Sequence, residues 1–258
     1  MSPDAGEDFT AIFDNMVKQR RQSGQKLNDI LDLVIDMLDK VDTPEYKRLN
    51  ITKYTAMCQA LVFFFAGQDQ IATISAFMIY YALKNGHMRE LQNEVDEVFR
   101  ANKGSIGHEN GPKDFPFLTA CITETLRLIP FFTLTERVCT KAWEHNGLKV
   151  AKGMVIILPI WAANRNPEHF PDPEEFKPER FSPENKEKLH PYALCSFGHG
   201  PHNCIGMRFS MHVLTLLSAH LIKEFKFHLQ PDTKVEFIPS GQFFGMHKAF
   251  PLTVTVRE

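Results

Sequence analysis

The residues best suited to chemistry lie in one short stretch, Phe197-Gly198-His199-Gly200-Pro201-His202-Asn203-Cys204-Ile205-Gly206. Two glycines and a proline shape a tight turn ahead of one cysteine, and an apolar-periodic segment starts at Met207. This pattern presents a thiol where a helix begins. Unpaired amides and the helix dipole at that end favour an anion, which lowers a thiol pKa. A thiolate held in this way suits a soft metal or haem iron. Two other readings compete. One is a buried structural cysteine, the usual fate of a free thiol. The other is zinc held by Cys195, His199, His202 and Cys204, whose spacing does not match the paired-ligand patterns of zinc proteins.

A second constellation is charged. Glu124 and Arg127 are spaced to share one helix face. Leu118, Ile122 and Leu126 surround them, so the pair is expected to be buried. A buried charge needs a partner, and Arg180 is the candidate third member. A third feature is the polar segment Gly67-Gln68-Asp69-Gln70 inside an otherwise apolar run. Glycine in a helix costs about 1 kcal/mol relative to alanine. This segment is expected to form a polar, flexible break of the kind that marks a cavity or site.

These residues must be carried by elements that the rest of the chain can build. Phe9, Ile12, Phe13 and Met16 make one apolar helical stripe, and Leu27, Ile30, Leu31, Val34 and Leu38 make another. Thr43-Pro44-Glu45 resembles a cap followed by a first-turn proline. From Ile51 to Leu83 there is no proline. A helix of that length, apolar nearly all round, is expected to cross the middle of a sizeable domain. Asn85-Gly86 ends it. A short amphipathic helix follows with Leu91, Val95, Val98 and Phe99 on one side. Asp114 and Pro116 start another that stops before Pro130. Glu144-His145-Asn146-Gly147 signals a hairpin and Val155 to Leu158 a strand. Asn166 to Pro191 is proline-dense and irregular. Met207 to Phe225 reads as a helix with Val213, Leu216, Leu217 and Leu221 inward. Leu252, Val254 and Val256 alternate as a strand.

Composition narrows the classes. The 258 residues are 43% hydrophobic and 23% charged, which excludes global disorder. Lysine plus arginine is 29 and aspartate plus glutamate 31, a net charge of −2, with no global signature of a nucleic-acid binder. Five cysteines argue against a disulfide scaffold and fit a reducing compartment. Met1 to Phe9 is polar and acidic, unlike a signal peptide. The apolar run Ala60 to Ala66 stops at Gly67, short of the roughly 20 residues that span a bilayer. Asn50-Ile51-Thr52 fits a glycosylation sequon, which carries no weight without a secretory signal. No dinucleotide fingerprint is present.

Phe197, Gly200, Cys204 and Gly206 realise Phe-x-x-Gly-x-x-x-Cys-x-Gly, which resembles the haem-binding signature of the cytochrome P450 superfamily. Three further elements occur in that family's order. Ala66-Gly67-Gln68-Asp69-Gln70 resembles its oxygen-activation segment, Glu124-Thr125-Leu126-Arg127 its Glu-x-x-Arg helix, and Pro178-Glu179-Arg180-Phe181 its Pro-Glu-Arg-Phe motif. Glu136-Arg137-Val138-Cys139 and Cys204-Ile205-Gly206-Met207-Arg208-Phe209 look most like animal microsomal members that oxidise xenobiotics and steroids.

The resemblance implies a mainly α fold with small β-sheets, the C-terminal half of the cytochrome P450 fold. Residues 1–258 would be a partial domain, because members run to roughly twice this length, well above the usual single-domain prior. The missing part would hold a membrane anchor, and its absence would leave faces of the long apolar helix uncovered. The cofactor implied is haem b, iron protoporphyrin IX, with Cys204 as axial ligand, Phe197 packed near the sulfur, and Gly198 and Gly206 shaping the loop. Loop amides would hydrogen-bond to the sulfur and tune it. Arg137 and His202 would meet the propionates; the family usually has arginine where His202 stands, so that contact should be weaker and more pH-dependent. Glu124, Arg127 and Arg180 would form a structural network behind the haem. Ala66 and Gly67 would leave room for dioxygen, and Asp69 and Gln70 would manage protons. The family usually has threonine where Gln70 stands, and an amide relays protons poorly. The substrate pocket would include Phe63, Ala66, Phe131 to Leu134 with Thr133 among them, and Ser240 to Phe244 with Phe243 and Phe244. Its apolar composition favours a lipophilic small molecule. Electrons would come from an NADPH-dependent reductase, and the full-length protein would sit on the cytosolic face of the endoplasmic reticulum membrane. The reaction implied is monooxygenation. A haem-thiolate isomerase or dehydratase, or a non-catalytic truncated product, are the alternatives.

Overall fold

The computed structural model describes residues 3–231, 233–236 and 250–257, with side chains from residue 8 onward. Phe243, Phe244 and the rest of the Ser240–Phe244 stretch lie outside the described residues. The chain divides into two compact units, Met1–Asp69 and Gln70–Glu258.

The first unit contains α1 (Pro3–Ser23), α2 (Ile30–Leu38), α3 (Pro44–Arg48) and the first part of α4 (Lys53–Lys84). Its core is Phe13, Val34, Ala56 and Met57, with Phe9, Val17, Leu31 and Leu38 packed on it. The predicted stripes therefore rotate: Ile12, Met16, Leu27 and Ile30 are exposed, because a core this small takes only part of each apolar face. Asp29 caps α2 by accepting from the Asp32 N–H at 3.0 Å. Arg20 ties α1 to the same turn through Asp29 and Asp32, each at 2.7 Å. Thr43 caps α3 by accepting from the Tyr46 N–H, and Pro44 opens its first turn.

α4 is helical throughout, which corrects the expected break at Gly67–Gln70. One glycine costs about 1 kcal/mol in a helix, too little to interrupt a run this long. Apart from the helix's own neighbouring backbone, no atom approaches within 4 Å of the point where a Gly67 Cβ would stand. The helix also departs from the expectation of burial along its length. Val62, Phe63, Phe64 and Phe65 are exposed, whereas Ile74, Phe77, Met78, Ile79 and Ala82 are buried. By length and composition it is long and apolar enough to cross a membrane. Its second half is instead a core helix, enclosed by protein.

In the second unit that half of α4 packs with α5 (Met88–Ala101), α6 (Pro116–Leu128) and α9 (Met207–Glu224) in one large core. α5 buries Leu91, Val95 and Phe99. Pro116 opens α6, and the Asp114 carboxylate ahead of it accepts from the Gly111 N–H at 2.8 Å. The first free amides of α6, Phe117 and Leu118, donate to the Glu94 carboxylate of α5, each at 2.8 Å. One helix thus caps another. Burial raises the Glu94 pKa, and the two amide bonds oppose that rise. α9 buries Leu214, Thr215, Ser218, Ala219 and Ile222, while Leu217 is exposed. The fully buried face is thus offset from the expected one, with Leu216 and Leu221 only partly buried against the core, and its Thr215, Ser218 and Ala219 let α9 approach α5 and α6 closely.

Three two-stranded antiparallel sheets complete the described residues. β1 (Thr135–Val138) pairs with β4 (Val155–Leu158) in the register Thr135↔Leu158. β2 (Trp143–His145) and β3 (Leu148–Val150) form the hairpin, with Asn146 at φ 48° and Gly147 at φ 80° in its turn. Positive φ at both positions is what an Asn-Gly turn provides. β5 (Phe225–Leu229) pairs with β6 (Leu252–Val256). The proline-dense stretch contains a 3₁₀ turn, Pro178–Phe181, and the short α8 (Pro183–Lys186); α7 (Ile160–Ala163) precedes it. The architecture is mainly α with small sheets.

Candidate functional site

The cysteine loop is closed by its own backbone. The Gly198 N–H donates to Cys195 O at 2.9 Å, Asn203 N–H to Gly200 O at 3.1 Å, and Cys204 N–H to Phe197 O at 2.8 Å. Gly198 and Gly200 adopt φ of 69° and 83°, which a side chain would strain. The Ser210 N–H then donates to Gly206 O at 2.7 Å, and α9 begins. Cys204 is presented outward at this junction as a free, exposed thiol. Ile205 beside it is 91% exposed, and His202 is exposed too. Phe197 is half-buried against the main core. The Gly198, Asn203 and Cys204 amides are thus engaged by carbonyls.

Arg137 stands half-buried on β1, where its Nη1 donates to Glu136 O at 2.7 Å and Thr135 Oγ1 at 3.1 Å. It lines a cleft of about 160 Å³ shared by β1, the β4–α7 junction, Cys195, Gly198 and His199. Gly198 thus belongs both to the cysteine loop and to the cleft that holds the cation. Burial raises the Cys195 pKa, which keeps that thiol protonated.

Behind the loop lies the charged lock. Arg127 and Glu124 are both fully inaccessible. Their contact is bidentate, Nε to Oε2 at 2.7 Å and Nη2 to Oε1 at 2.8 Å. The remaining guanidinium N–H groups donate to Asn164 O at 3.0 Å, Pro173 O at 2.7 Å and Glu175 O at 3.1 Å. Every donor of Arg127 is used. Glu124 also accepts from the Lys177 N–H at 2.9 Å, and Arg180 Nε lies 3.4 Å from its Oε1. Arg180 Nη2 donates to Asp172 O at 2.9 Å. The lock therefore clamps α6 onto the segment from Asp172 to Arg180.

Sequence reasoning missed Asn164, which is buried and bonded to Arg127, Cys195 and Ser196. An asparagine ahead of Asn166-Pro167 reads as loop, and the only signal available was its place between two motifs. The zinc reading finds no support: among the described residues no group of three or more His, Cys, Asp or Glu is placed to hold a metal ion. Of the remaining site residues, Asp69 and Ala66 are exposed on α4 and Gly67 and Gln70 are half-buried. Phe63 is exposed on the same helix. Phe131, Thr133 and Leu134 are half-buried. Phe131 meets Phe132 edge-on with centroids 4.7 Å apart. Thr133 O accepts from the Trp161 N–H at 2.9 Å.

An outward thiol at a helix head, apolar Ile205 beside it and a guanidinium in the adjoining cleft form a donor set that fits an iron porphyrin. The sulfur suits the iron, and the cation suits a carboxylate at the ring's edge.

A loop of this kind above a buried Glu-Arg lock defines a class, and the comparison with known proteins agrees. Residues 2–252 match the family profile described as Cytochrome P450, and the chain belongs to that family. It is 37% identical to cytochrome P450 3A27 of Oncorhynchus mykiss over 251 residues, which are 95% of this chain and 48% of that protein. It is 35% identical to cytochrome P450 3A16 of Mus musculus over 235 residues, 90% of this chain and 46% of that protein. The chain spans about half the length of these curated relatives.

Proposed function

We propose that the chain forms the C-terminal part of a haem-thiolate monooxygenase that acts on lipophilic small molecules. Residues 1–258 are then a partial P450 domain. One atom of dioxygen enters the substrate and the other leaves as water, with two electrons and two protons supplied from outside. The electrons come one at a time from an NADPH-dependent reductase. The observation that carries this reading is the outward Cys204 thiol, held at the head of α9 by a backbone-closed loop.

Bound haem b would supply the dioxygen-activating iron. The chain's own residues bind and orient it. Cys204 supplies the thiolate, Gly198 and Gly206 shape its approach, and Arg137 holds a propionate, with His202 as a weaker second contact. Glu124, Arg127 and Arg180 hold the scaffold under the loop. Asp69 carries protons in from solvent and Gln70 donates a hydrogen bond. Ala66 and Gly67 leave space, and Phe63, Phe131, Thr133, Leu134, Phe243 and Phe244 contact the lipophilic substrate. By similarity to the P450 3A relatives, the full-length protein works at the cytosolic face of the endoplasmic reticulum membrane, attached by an N-terminal anchor.

Gln70 favours a second reading, a haem-thiolate isomerase or dehydratase that needs no proton relay. The reduced carbon-monoxide spectrum of haem-supplemented protein tests the first step. A red-shifted Soret band that Cys204→Ala abolishes supports both enzymatic readings, and its absence from the unmodified chain sinks both. Gln70→Thr separates them: it should leave the spectrum unchanged and improve the coupling of oxygen consumption to product. Unchanged coupling, with no hydroxylated product, favours the isomerase.

A further inference from the structure

Asn164 follows the last turn of α7 and is fully buried. Its backbone oxygen accepts from Arg127 Nη1 at 3.0 Å. Its side-chain Nδ2 donates to Arg127 O at 3.2 Å and to Ser196 Oγ at 3.1 Å. Its Oδ1 accepts from the Cys195 N–H at 2.9 Å. Ser196 Oγ in turn donates to Leu126 O at 2.8 Å. The amide can stand only one way round. Flipping it would set its NH₂ against the Cys195 N–H and its oxygen against the Arg127 carbonyl.

One residue thus bonds both to the arginine of the buried lock and to the backbone entering the cysteine loop. From Cys195 the bonding continues: Cys195 O accepts from Gly198, and Phe197 O accepts from the Cys204 N–H. We propose that Asn164 is a positioning residue for Cys204, which transmits the fixed seat of Arg127 to the Cys195–Phe197 segment and so sets where the thiol points. The proposal rests on reading Cys204 as the haem ligand. Asn164 does not touch the sulfur; it acts through the peptide that the Cys204 amide bonds to. Asparagine is the residue type required, because the site needs an acceptor for Cys195 and a donor for Arg127 on one short planar group. Aspartate keeps the acceptor, loses both donors and sets a second oxygen against the Arg127 carbonyl.

Two measurements on the 258-residue chain test this. Without haem, amide hydrogen exchange at Cys195 should run at least about tenfold faster in Asn164→Ala, the factor that about 1.4 kcal/mol of lost protection carries. Val95→Ala, a core truncation on α5, is the control for general destabilisation; it should change the slowest amides and leave Cys195 to Phe197 in proportion. Asn164→Asp should keep most of the Cys195 protection. With haem, Asn164→Ala should move a larger share of the reduced carbon-monoxide band from the thiolate position to the neutral-thiol position than Val95→Ala does. If Asn164→Ala fails to fold, Ser196→Ala carries the same test through the Leu126 side of the bridge. Exchange and band both matching the Val95→Ala control would overturn the proposal. A missing thiolate band in the unmodified chain would instead refute Cys204 as ligand, and the exchange result would still decide whether Asn164 holds the loop.

Discussion

Replacing Glu124 by glutamine exchanges one oxygen for an NH₂ group and removes one charge from a fully buried site. The magnitude follows from the geometry. Both partners are fully inaccessible, so the Arg127 guanidinium would lose its bidentate counter-ion without gaining solvent. Whichever way the new amide turns, its NH₂ faces an N–H: Nε, now 2.7 Å from Oε2, or Nη2, now 2.8 Å from Oε1. Breaking one side of a buried pair costs about 3–5 kcal/mol. A domain holds only about 5–15 kcal/mol in total. Urea unfolding followed by circular dichroism is the assay. With a urea slope of about 2 kcal/mol/M, the midpoint should fall by about 2 M with the slope unchanged. A companion variant separates charge from hydrogen bonding. Replacing both members of a buried pair by apolar residues is often neutral. Here Glu124→Leu with Arg127→Leu would strand the Asn164, Pro173 and Glu175 carbonyls and the Lys177 amide. Each stranded buried group costs about 1–3 kcal/mol, so the double variant should stay well below the wild type. A Glu124→Gln loss under about 1 kcal/mol, or full stability in the double variant, would refute the reasoning.

Three further outcomes are expected. Gly67→Ala should stabilise the chain by about 1 kcal/mol, since the helix is unbroken and nothing beyond its own neighbouring backbone stands within 4 Å of the new methyl group; a lower urea midpoint would contradict the unbroken helix. Glu94→Gln should cost about 1–3 kcal/mol by orphaning one of the two α6 amides. The same variant should alter the pH profile. Burial holds the Glu94 pKa above its ordinary 4.5, so the folded state binds the proton more tightly and stability falls as pH rises from 4.5 through the raised value. Glutamine removes that slope, and midpoints measured across this range would show an unchanged slope if the reasoning fails. Gly111→Ala should lose about 1–3 kcal/mol, because its Cβ would lie 2.9 Å from His212 Nδ1. Adding His212→Ala should recover most of that loss, and no recovery would mean that the contact is not the cause.

Much of the helical framework was legible because its signals are local. Asn146-Gly147 marks its own turn, and the apolar neighbours of Glu124 and Arg127 announce a buried pair from within one helix. The errors came where tertiary contacts decide. In α9 the periodic signal selects Val213, Leu216, Leu217 and Leu221, yet Leu217 is exposed and the fully buried positions are Leu214, Thr215, Ser218, Ala219 and Ile222, where small side chains permit close helix packing. The polar run at Gly67–Gln70 read as a break, but each of its residues finds its backbone partners in the helix itself. Phe225-Lys226-Phe227-His228-Leu229 alternates as a strand, but it abuts α9 and was partly read into it. Asn164 was invisible because its partners lie 31, 32 and 37 residues away.

Those separations have a consequence for how the chain is made. Arg127 takes its last carbonyl from Glu175, 48 residues downstream, and Leu126 waits for Ser196, 70 residues on. At about 5–20 residues per second, a ribosome needs roughly 2 to 10 seconds to supply the first of these after Arg127 itself. During that interval Glu124, on the same helix, already pairs the charge, but the guanidinium N–H groups that take the Asn164, Pro173 and Glu175 carbonyls would be left unpaired if α6 buried that face. Pairing of every Arg127 donor is thus complete only once the chain has been made as far as Glu175.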